Sequence, residues 1–217
     1  MKDYQKRFLK LALDSGAFKF GEFTLKSGRR SPYFFNASAL LEYGSLSDLA
    51  DILVSKIEDS NLQFDMIFGP AYKGIPIAVA TATALATHGV HVSVAYNRKE
   101  AKDHGEGGQL VGAEVKGRVL LVDDVLTSGK AIRQSVDLIT QTDAEIVGTV
   151  IALDRAELVA NDQTAVEALA QDLRAPIVSI ASVADIIERL ATDAADFTDA
   201  TLRQRMLDYQ QQYCRVT

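Results

Sequence analysis

The hydrophobic pattern of the chain changes period part-way along its length. Near the start Tyr4, Phe8 and Leu11 recur at helical spacing after Asp3, a residue type favoured at helix N-caps, so the pattern predicts an amphipathic first helix capped by Asp3. Apolar runs at 23–25 and 32–35 flank Ser27-Gly28-Arg29-Arg30, which predicts a short hairpin. Ser45 and Asp48 have the spacing of a capping box for a helix burying Leu49, Leu53 and Ile57. From there short apolar runs alternate with helical patterns. Strands are expected at 64–68, 90–96, 119–122, 146–153 and 176–180, and helices at 75–87, 131–140 and near 164–173. Ser182 with Asp185 caps a further helix, and Leu202, Met206, Tyr209 and Tyr213 mark a last one.

Continuous apolar strands separated by helices imply an α/β fold whose central, mainly parallel sheet is covered on both faces. In such folds ligands bind beyond the carboxyl ends of the strands, so residues at strand ends are the candidates for chemistry. No repeat, low-complexity tract or linker divides the chain, and 1–217 reads as a single domain.

Composition narrows the function classes. The 217 residues are 47% hydrophobic and 24% charged, the balance of a globular protein able to bury a sizeable core. The formal charge of −6 (23 basic against 29 acidic residues) argues against a nucleic-acid-binding role, which needs a basic face. Cys214 is the only cysteine, so an internal disulfide and cysteine-based zinc or redox motifs are excluded, and no role is assigned to it. No apolar run is long enough to span a bilayer and the N-terminal stretch lacks a secretory core, so the expected location is cytoplasmic, with no membrane partner. His88 and His91 have no third ligand in view and are expected to be structural.

The most informative segment is Val119-Leu120-Leu121-Val122-Asp123-Asp124-Val125-Leu126-Thr127-Ser128-Gly129-Lys130-Ala131. A buried strand ends in two carboxylates, and a loop of hydroxyl residues and glycine then opens a helix. Unpaired N–H groups at a helix start form an anion site, worth about 0.3–1 kcal/mol from the dipole alone. Thr127 and Ser128 add hydroxyl donors, Gly129 allows close backbone approach to a phosphate, and Asp123 and Asp124 can accept hydrogen bonds from sugar hydroxyls. One unit could grip a ribose and its 5′-phosphate. The alternative is a strand-to-helix turn with acidic caps. Competing phosphate motifs fail: Gly112 and Gly117 have Walker spacing, but Arg118 and Val119 replace the required Lys and Ser/Thr. Gly105-Glu106-Gly107-Gly108 lacks the spacing of a dinucleotide fingerprint.

The whole run resembles the phosphoribosyl pyrophosphate signature of the type I phosphoribosyltransferases. That resemblance implies their fold, with a small N-terminal hood built mainly from about 1–40. It also implies that Val125, Leu126, Thr127, Ser128, Gly129, Lys130 and Ala131 enclose the 5′-phosphate while Asp123 and Asp124 hold the ribose.

A second segment, 97–108, concentrates Arg98, Lys99, Lys102 and His104 beside a glycine cluster in an otherwise acidic chain. A long polar loop of this kind is either a solvated surface loop or a functional lid. Its stretch Arg-Lys-Glu-Ala-Lys-Asp-His-Gly-Glu-Gly-Gly is similar to the catalytic loop of bacterial orotate phosphoribosyltransferases. The similarity implies a lid over about 98–113, with Lys102 and His104 catalytic and reaching into a neighbouring subunit's site. Arg98 and Lys99 would meet the pyrophosphate, and the enzyme would be a homodimer with shared lids.

Specificity for the base requires further residues. In that family the segment matching Gly69-Pro70-Ala71-Tyr72-Lys73-Gly74 is the pyrophosphate loop, contacting through Tyr72 and Lys73. The segment from Phe20 to Asn36 resembles its hood, where Lys26 meets substrate and Phe34-Phe35 lies against the pyrimidine. Arg155 matches the arginine that binds orotate's carboxylate, an anion suited to a guanidinium fork. Thr127 falls at an orotate-binding position as well. On spacing alone, Phe34-Phe35 would more often be core than a ligand platform, and Arg155 would be a surface ion pair as readily as a ligand.

The activity these resemblances imply is transfer of a ribosyl 5-phosphate group from phosphoribosyl pyrophosphate to orotate, with magnesium as cofactor held mainly through the substrate. A purine or uracil phosphoribosyltransferase is the rival within the fold. A non-catalytic regulator binding phosphoribosyl pyrophosphate and nucleic acid is the rival outside it.

Overall fold

The computed structural model describes residues 1–25, 27–102, 108–126, 129–159, 162–192 and 201–215, with the side chains of 101 and 102 outside the description. Helix α1 (Asp3–Asp14) starts one residue earlier than its pattern implied: Lys2 is the N-cap, and its N–H donates to Gln5 Oε1 at 2.8 Å, so Asp3 lies in the first turn rather than capping it. The hairpin is longer than the sequence suggested. Strands β1 (Phe18–Thr24) and β2 (Arg30–Phe35) pair antiparallel, with a bulge between Phe20 and Phe23. A short 3₁₀ turn, Ala37–Leu41, leads to helix α2 (Ser45–Ser60). The expected capping box fails there, because Gly44 is the N-cap in a left-handed conformation (φ +85) and Ser45 is already helical. The predicted burial of Leu49, Leu53 and Ile57 holds.

The remaining chain builds the central sheet. β3 (Met66–Gly69), α3 (Gly74–Thr87), β4 (Ser93–Lys102), β5 (Gly108–Gly112) and β6 (Gly117–Val125) follow in order. Then come α4 (Lys130–Ile139), β7 (Ala144–Asp154), α5 (Ala165–Leu173), β8 (Ile177–Ser182), α6 (Val183–Thr192) and α7 (Leu202–Tyr213). The six strands lie in the order β5-β4-β3-β6-β7-β8, parallel except where β5 pairs antiparallel with β4. Much of the polar segment read as a loop is therefore strand. β4 runs on through Lys102, and Lys102 pairs with Gly108 of β5. A polar composition hid it, because an edge hairpin that projects from the body needs no apolar alternation.

Alternation along each strand sends side chains to opposite faces. Ile67, Leu120 and Val122 enter the core shared with α1, α2, α3, the β1–β2 hairpin, α6 and α7, whereas Met66, Phe68, Val119 and Leu121 pack with Ile132 and Ile139 of α4 and Leu169 of α5. The hairpin is part of the first core: the rings of Phe18 and Tyr33 stack at 5.1 Å, and Tyr33 meets Tyr209 of α7 edge-on at 5.8 Å. Capping is as predicted at α6, where Asp185 Oδ2 accepts from Ser182 N–H at 2.7 Å and from its hydroxyl at 2.9 Å. No helix among the described residues is long and apolar enough to cross a membrane.

Candidate functional site

The topology itself marks a place for a ligand. From β3 the chain crosses to β4 on one side, whereas β6 lies on the other side of β3 and leads outward to β7 and β8. The carboxyl ends of β3 and β6 therefore flank the switch point, where a crevice opens because the connections diverge. Into it run the loop after β3 (Gly69 to Gly74) and the segment joining β6 to α4.

Asp123 and Asp124 do not follow β6, as the sequence pattern suggested, but lie inside its last turn of pleat, 8% and 7% exposed. Being adjacent in a strand, they face opposite ways. Asp123 lines a cavity of about 1100 Å³ on the α4 side, together with Asn97, Arg98, Lys99 and Lys130. Asp124 accepts from Lys73 Nζ at 3.0 Å on the α3 side. Each carboxylate also accepts a backbone N–H, Asp123 Oδ1 from Asp124 at 2.9 Å and Asp124 Oδ1 from Val125 at 2.7 Å. Burial, and then the charge of Asp124, push the Asp123 carboxyl up to about 7. A buried acid held this way is poised to gain from hydroxyl donors or a cation brought by a ligand.

The loop after β3 is compact because glycines bracket it. A Cβ on Gly69 would lie 2.5 Å from the Gly74 carbonyl oxygen, and one on Gly74 would lie 2.8 Å from Pro70 Cδ and 3.0 Å from the Val122 carbonyl oxygen. Only hydrogen fits at either position, so the loop folds back onto β6 just before the acidic pair. The peptide joining Ala71 and Tyr72 is cis. Tyr72 is 61% exposed, and the ammonium of Lys99 sits 4.8 Å from its ring centroid, so the loop and β4 meet over the crevice.

The structure thus brings Lys73, Arg98, Lys99, Asp123, Val125, Leu126, Gly129, Lys130 and Ala131 around one cavity, and Tyr72 to its rim. Gly129 takes φ +67 as the residue before α4, the left-handed turn its glycine allows. Lys26, His104, Thr127 and Ser128 lie outside the described residues, as does the side chain of Lys102, whose backbone ends β4. No group of three or more His, Cys, Asp or Glu side chains that could hold a metal occurs among the described residues. Of the acidic pair, only Asp123 lines the cavity, and its carboxylate offers hard oxygens of the kind a divalent cation such as magnesium prefers.

Arg155 follows β7 at the same end of the sheet but belongs to a different cluster. Its Nε donates to Glu157 Oε1 at 2.8 Å, its Nη2 bonds the same oxygen, and its guanidinium lies 4.6 Å from the Tyr33 ring centroid. Glu157 Oε1 also accepts from the Tyr209 hydroxyl at 2.6 Å. Arg155 is therefore clamped between hairpin and α7, with one guanidinium edge already engaged. The two phenylalanines divide: Phe34 is 40% exposed and 5.5 Å from the Phe23 ring, while Phe35 is in the core at 7% and 6.3 Å from Phe8. Period-two alternation makes this division unavoidable. Cys214 is buried, and burial pushes its thiol up to about 12, which keeps it protonated and unreactive.

Sequence reasoning passed over Asn97 and Glu157. Both are polar residues whose importance arises from neighbours distant in the chain, and no local motif announces either.

Comparison with known proteins agrees with this geometry. The sequence profile described as phosphoribosyl transferase domain matches residues 37–176. Over 208 residues the chain is 47% identical to the orotate phosphoribosyltransferase of Vibrio vulnificus (strain CMCP6), covering 94% of this chain and 98% of that protein. The chain belongs to the orotate phosphoribosyltransferase family. The crystal structure of orotate phosphoribosyltransferase from Francisella tularensis superimposes with a TM-score of 0.84 at 37% identity, covering 96% of this chain and 99% of that one. That from Aeropyrum pernix gives 0.66 at 31% identity, covering 84% and 97%. Membership gives the crevice a family context: a sheet whose strand ends carry an acidic pair, flanked by two loops that can hold anions.

Proposed function

We propose that this protein transfers the ribosyl 5-phosphate group from phosphoribosyl pyrophosphate to orotate, giving orotidine 5′-monophosphate and pyrophosphate for pyrimidine nucleotide synthesis. The observation that carries the reading is the buried acidic pair at the end of β6, whose Asp123 opens on a cation-lined cavity between the Gly69–Gly74 loop and the start of α4 while Asp124 holds Lys73, which lines the same cavity. Asp123 and Asp124 orient the ribose from the two faces of β6, Asp123 by accepting from its hydroxyls inside the cavity and Asp124 through Lys73, whose ammonium it holds. The N-terminus of α4, with Gly129, Lys130 and Ala131 and the hydroxyls of Thr127 and Ser128, encloses the 5′-phosphate. Lys73, Arg98, Lys99, Lys102 and His104 surround the pyrophosphate, whose negative charge grows as the bond from the anomeric carbon breaks. Asp123 would face magnesium brought in with the substrate, and the ion would supply neutralisation of part of that charge. Orotate's ring nitrogen attacks the opposite face, so no covalent enzyme intermediate is needed. Lys26, Phe34, Phe35 and Arg155 position the pyrimidine, Phe35 from the core through its backbone and Arg155 through the guanidinium edge that Glu157 leaves open.

Mixing protein, magnesium, phosphoribosyl pyrophosphate and orotate while following orotate's ultraviolet absorbance tests the reading. Loss of absorbance is expected. No change, with adenine or uracil consumed instead, would transfer the assignment to a rival within the fold. Arg155→Ala is expected to weaken orotate binding about ten- to a hundredfold, the loss of a charge-assisted pair, with phosphoribosyl pyrophosphate binding little changed. A calorimetric titration with unchanged orotate affinity would remove Arg155 from the site.

The homodimer has support in α3. The helix carries no charged residue, Val79 on it is 47% exposed, and Tyr72 and Val90 in the segments that flank it are 61% and 42% exposed. An uncharged helix face beside the pyrophosphate loop suits burial against a second copy, placing one subunit's lid near the other's crevice. Val79→Glu is expected to yield monomers with little activity in analytical ultracentrifugation and assay. A fully active monomer would overturn the shared-lid arrangement.

A further inference from the structure

We infer that Asn97 is a positioning residue for the pyrophosphate side of the site, locking the loop after β3 to the helix that opens the phosphate site. The inference rests on the phosphoribosyltransferase reading above. Asn97 is 5% exposed and lies one residue beyond Tyr96, which pairs with Gly69 in parallel register. That register sets its side chain level with the loop that leaves β3. Asn97 Oδ1 accepts the Ala71 N–H at 3.0 Å and the Ser135 hydroxyl at 3.0 Å. Ser135 is itself fully buried in α4, where its hydroxyl also lies 3.1 Å from the Ala131 carbonyl oxygen.

The amide orientation follows from chemistry. A backbone N–H can only donate, so the atom facing Ala71 must be the oxygen. With Oδ1 occupied by both donors, the Nδ2 group is what Asn97 can offer to the cavity it lines, and among the described residues it donates to none. Asn97 supplies the side-chain hydrogen bond to this segment, which is otherwise met by the Lys99 ammonium over the Tyr72 ring and by the Ile75 N–H donating to the Tyr72 carbonyl. The loop gains little from the hydrophobic effect, since Ala71 is only partly buried and Tyr72 is exposed. Its placement therefore depends on Asn97, on the glycines at its ends and on the exposed Lys99–Tyr72 contact, of which only Asn97 ties the loop to α4. The same residue continues directly into Arg98 and Lys99 on β4, so loop, lid strand and α4 share one polar joint. A movement of the lid strand would be transmitted to Ala71 and Ser135 through a buried acceptor, a connection that a hydrophobic side chain could not supply.

The test is Asn97→Ala, with Ser135→Ala as a milder second variant, measured in steady-state assays with each substrate varied. Asn97→Ala is expected to raise the KM for phosphoribosyl pyrophosphate about tenfold or more, while the KM for orotate stays within about twofold. Ser135→Ala, which keeps the Ala71 bond, is expected to raise the former about threefold. Hydrogen–deuterium exchange of the peptide spanning 69–74 should quicken in Asn97→Ala while β3 and β6 stay protected. Equal rises in both KM values, or unchanged exchange in that peptide, would overturn the inference. Should Asn97→Ala fail to fold, an unaltered Ser135→Ala would overturn it as well. An inactive wild-type protein would instead sink the functional reading, and the exchange measurement would still decide the positioning role.

Discussion

Asp123→Asn is expected to make the ligand-free protein more stable at pH 8 and much poorer as an enzyme. Asp123 is pushed up to about 7 from 3.8 by burial and by the charge of Asp124, with the attraction of Lys73 only partly offsetting them. Its folded-state value is thus higher than its unfolded one, so the folded protein binds the extra proton. The stability of the wild-type protein accordingly declines as pH rises from about 4 through about 7, and the cost is fully present above that window. Removing the charge should raise Tm at pH 8, where about 1 kcal/mol corresponds to roughly 2–4 °C for a chain of this size. The gain should vanish below pH 4, where both states carry a protonated Asp123. The amide oxygen can still accept the Asp124 N–H that the carboxylate accepts at 2.9 Å. What the variant loses is a charged acceptor for ribose hydroxyls and magnesium-bound substrate, so kcat/KM for phosphoribosyl pyrophosphate should fall about ten- to a hundredfold. Thermal melts at pH 4 and 8, paired with kinetics, check both halves. A variant no more stable than wild type at pH 8 would show that the carboxylate is not held at a cost.

Lys102→Ala is expected to lower kcat by about a hundred- to a thousandfold while changing the KM for phosphoribosyl pyrophosphate less than about threefold. The backbone of Lys102 ends β4 opposite Gly108 of β5, at the tip of the hairpin that begins with Arg98 and Lys99 above the cavity. A cation delivered from such a tip is proposed to act mainly on the additional negative charge that develops as the pyrophosphate departs. Its removal should therefore spare the ground state. Arg98 and Lys99, which line the cavity from β4, are placed to bind the pyrophosphate before and during reaction. Equal losses in kcat and in affinity would make Lys102 another such binding residue. Single-turnover measurements distinguish a slowed chemical step from slowed release.

Some of the site was legible because its chemistry is local. The segment from Val119 to Ala131 contains strand, acidic pair and helix start in one contiguous run, and each part performs its task through backbone geometry that neighbouring residues specify. The glycines at 69 and 74 could be seen as turn residues, but not that each excludes a methyl group from the backbone of the other end of the loop. The lid segment was recognised from its cations, yet its first half was misread as loop because hydrogen bonding between β4 and β5 leaves no hydrophobic signature. Asp3 and Ser45 looked like helix caps by residue type, but the chain direction entering each helix placed Lys2 and Gly44 there instead.

By itself the sequence determined the class of fold, the order of its elements and an acidic pair placed at a strand end before a helix start, since period, turn chemistry and contiguous motifs are properties of neighbouring residues. Only the tertiary structure decided that Asp123 and Asp124 face opposite sides of β6, that Phe35 lies in the core while Phe34 is exposed, and that Arg155 is clamped by Glu157 and Tyr33. It alone joined Asn97 to Ala71 and Ser135, 26 and 38 residues away. The reason is that strand register and helix packing bring together residues whose separation along the chain carries no record of their contact.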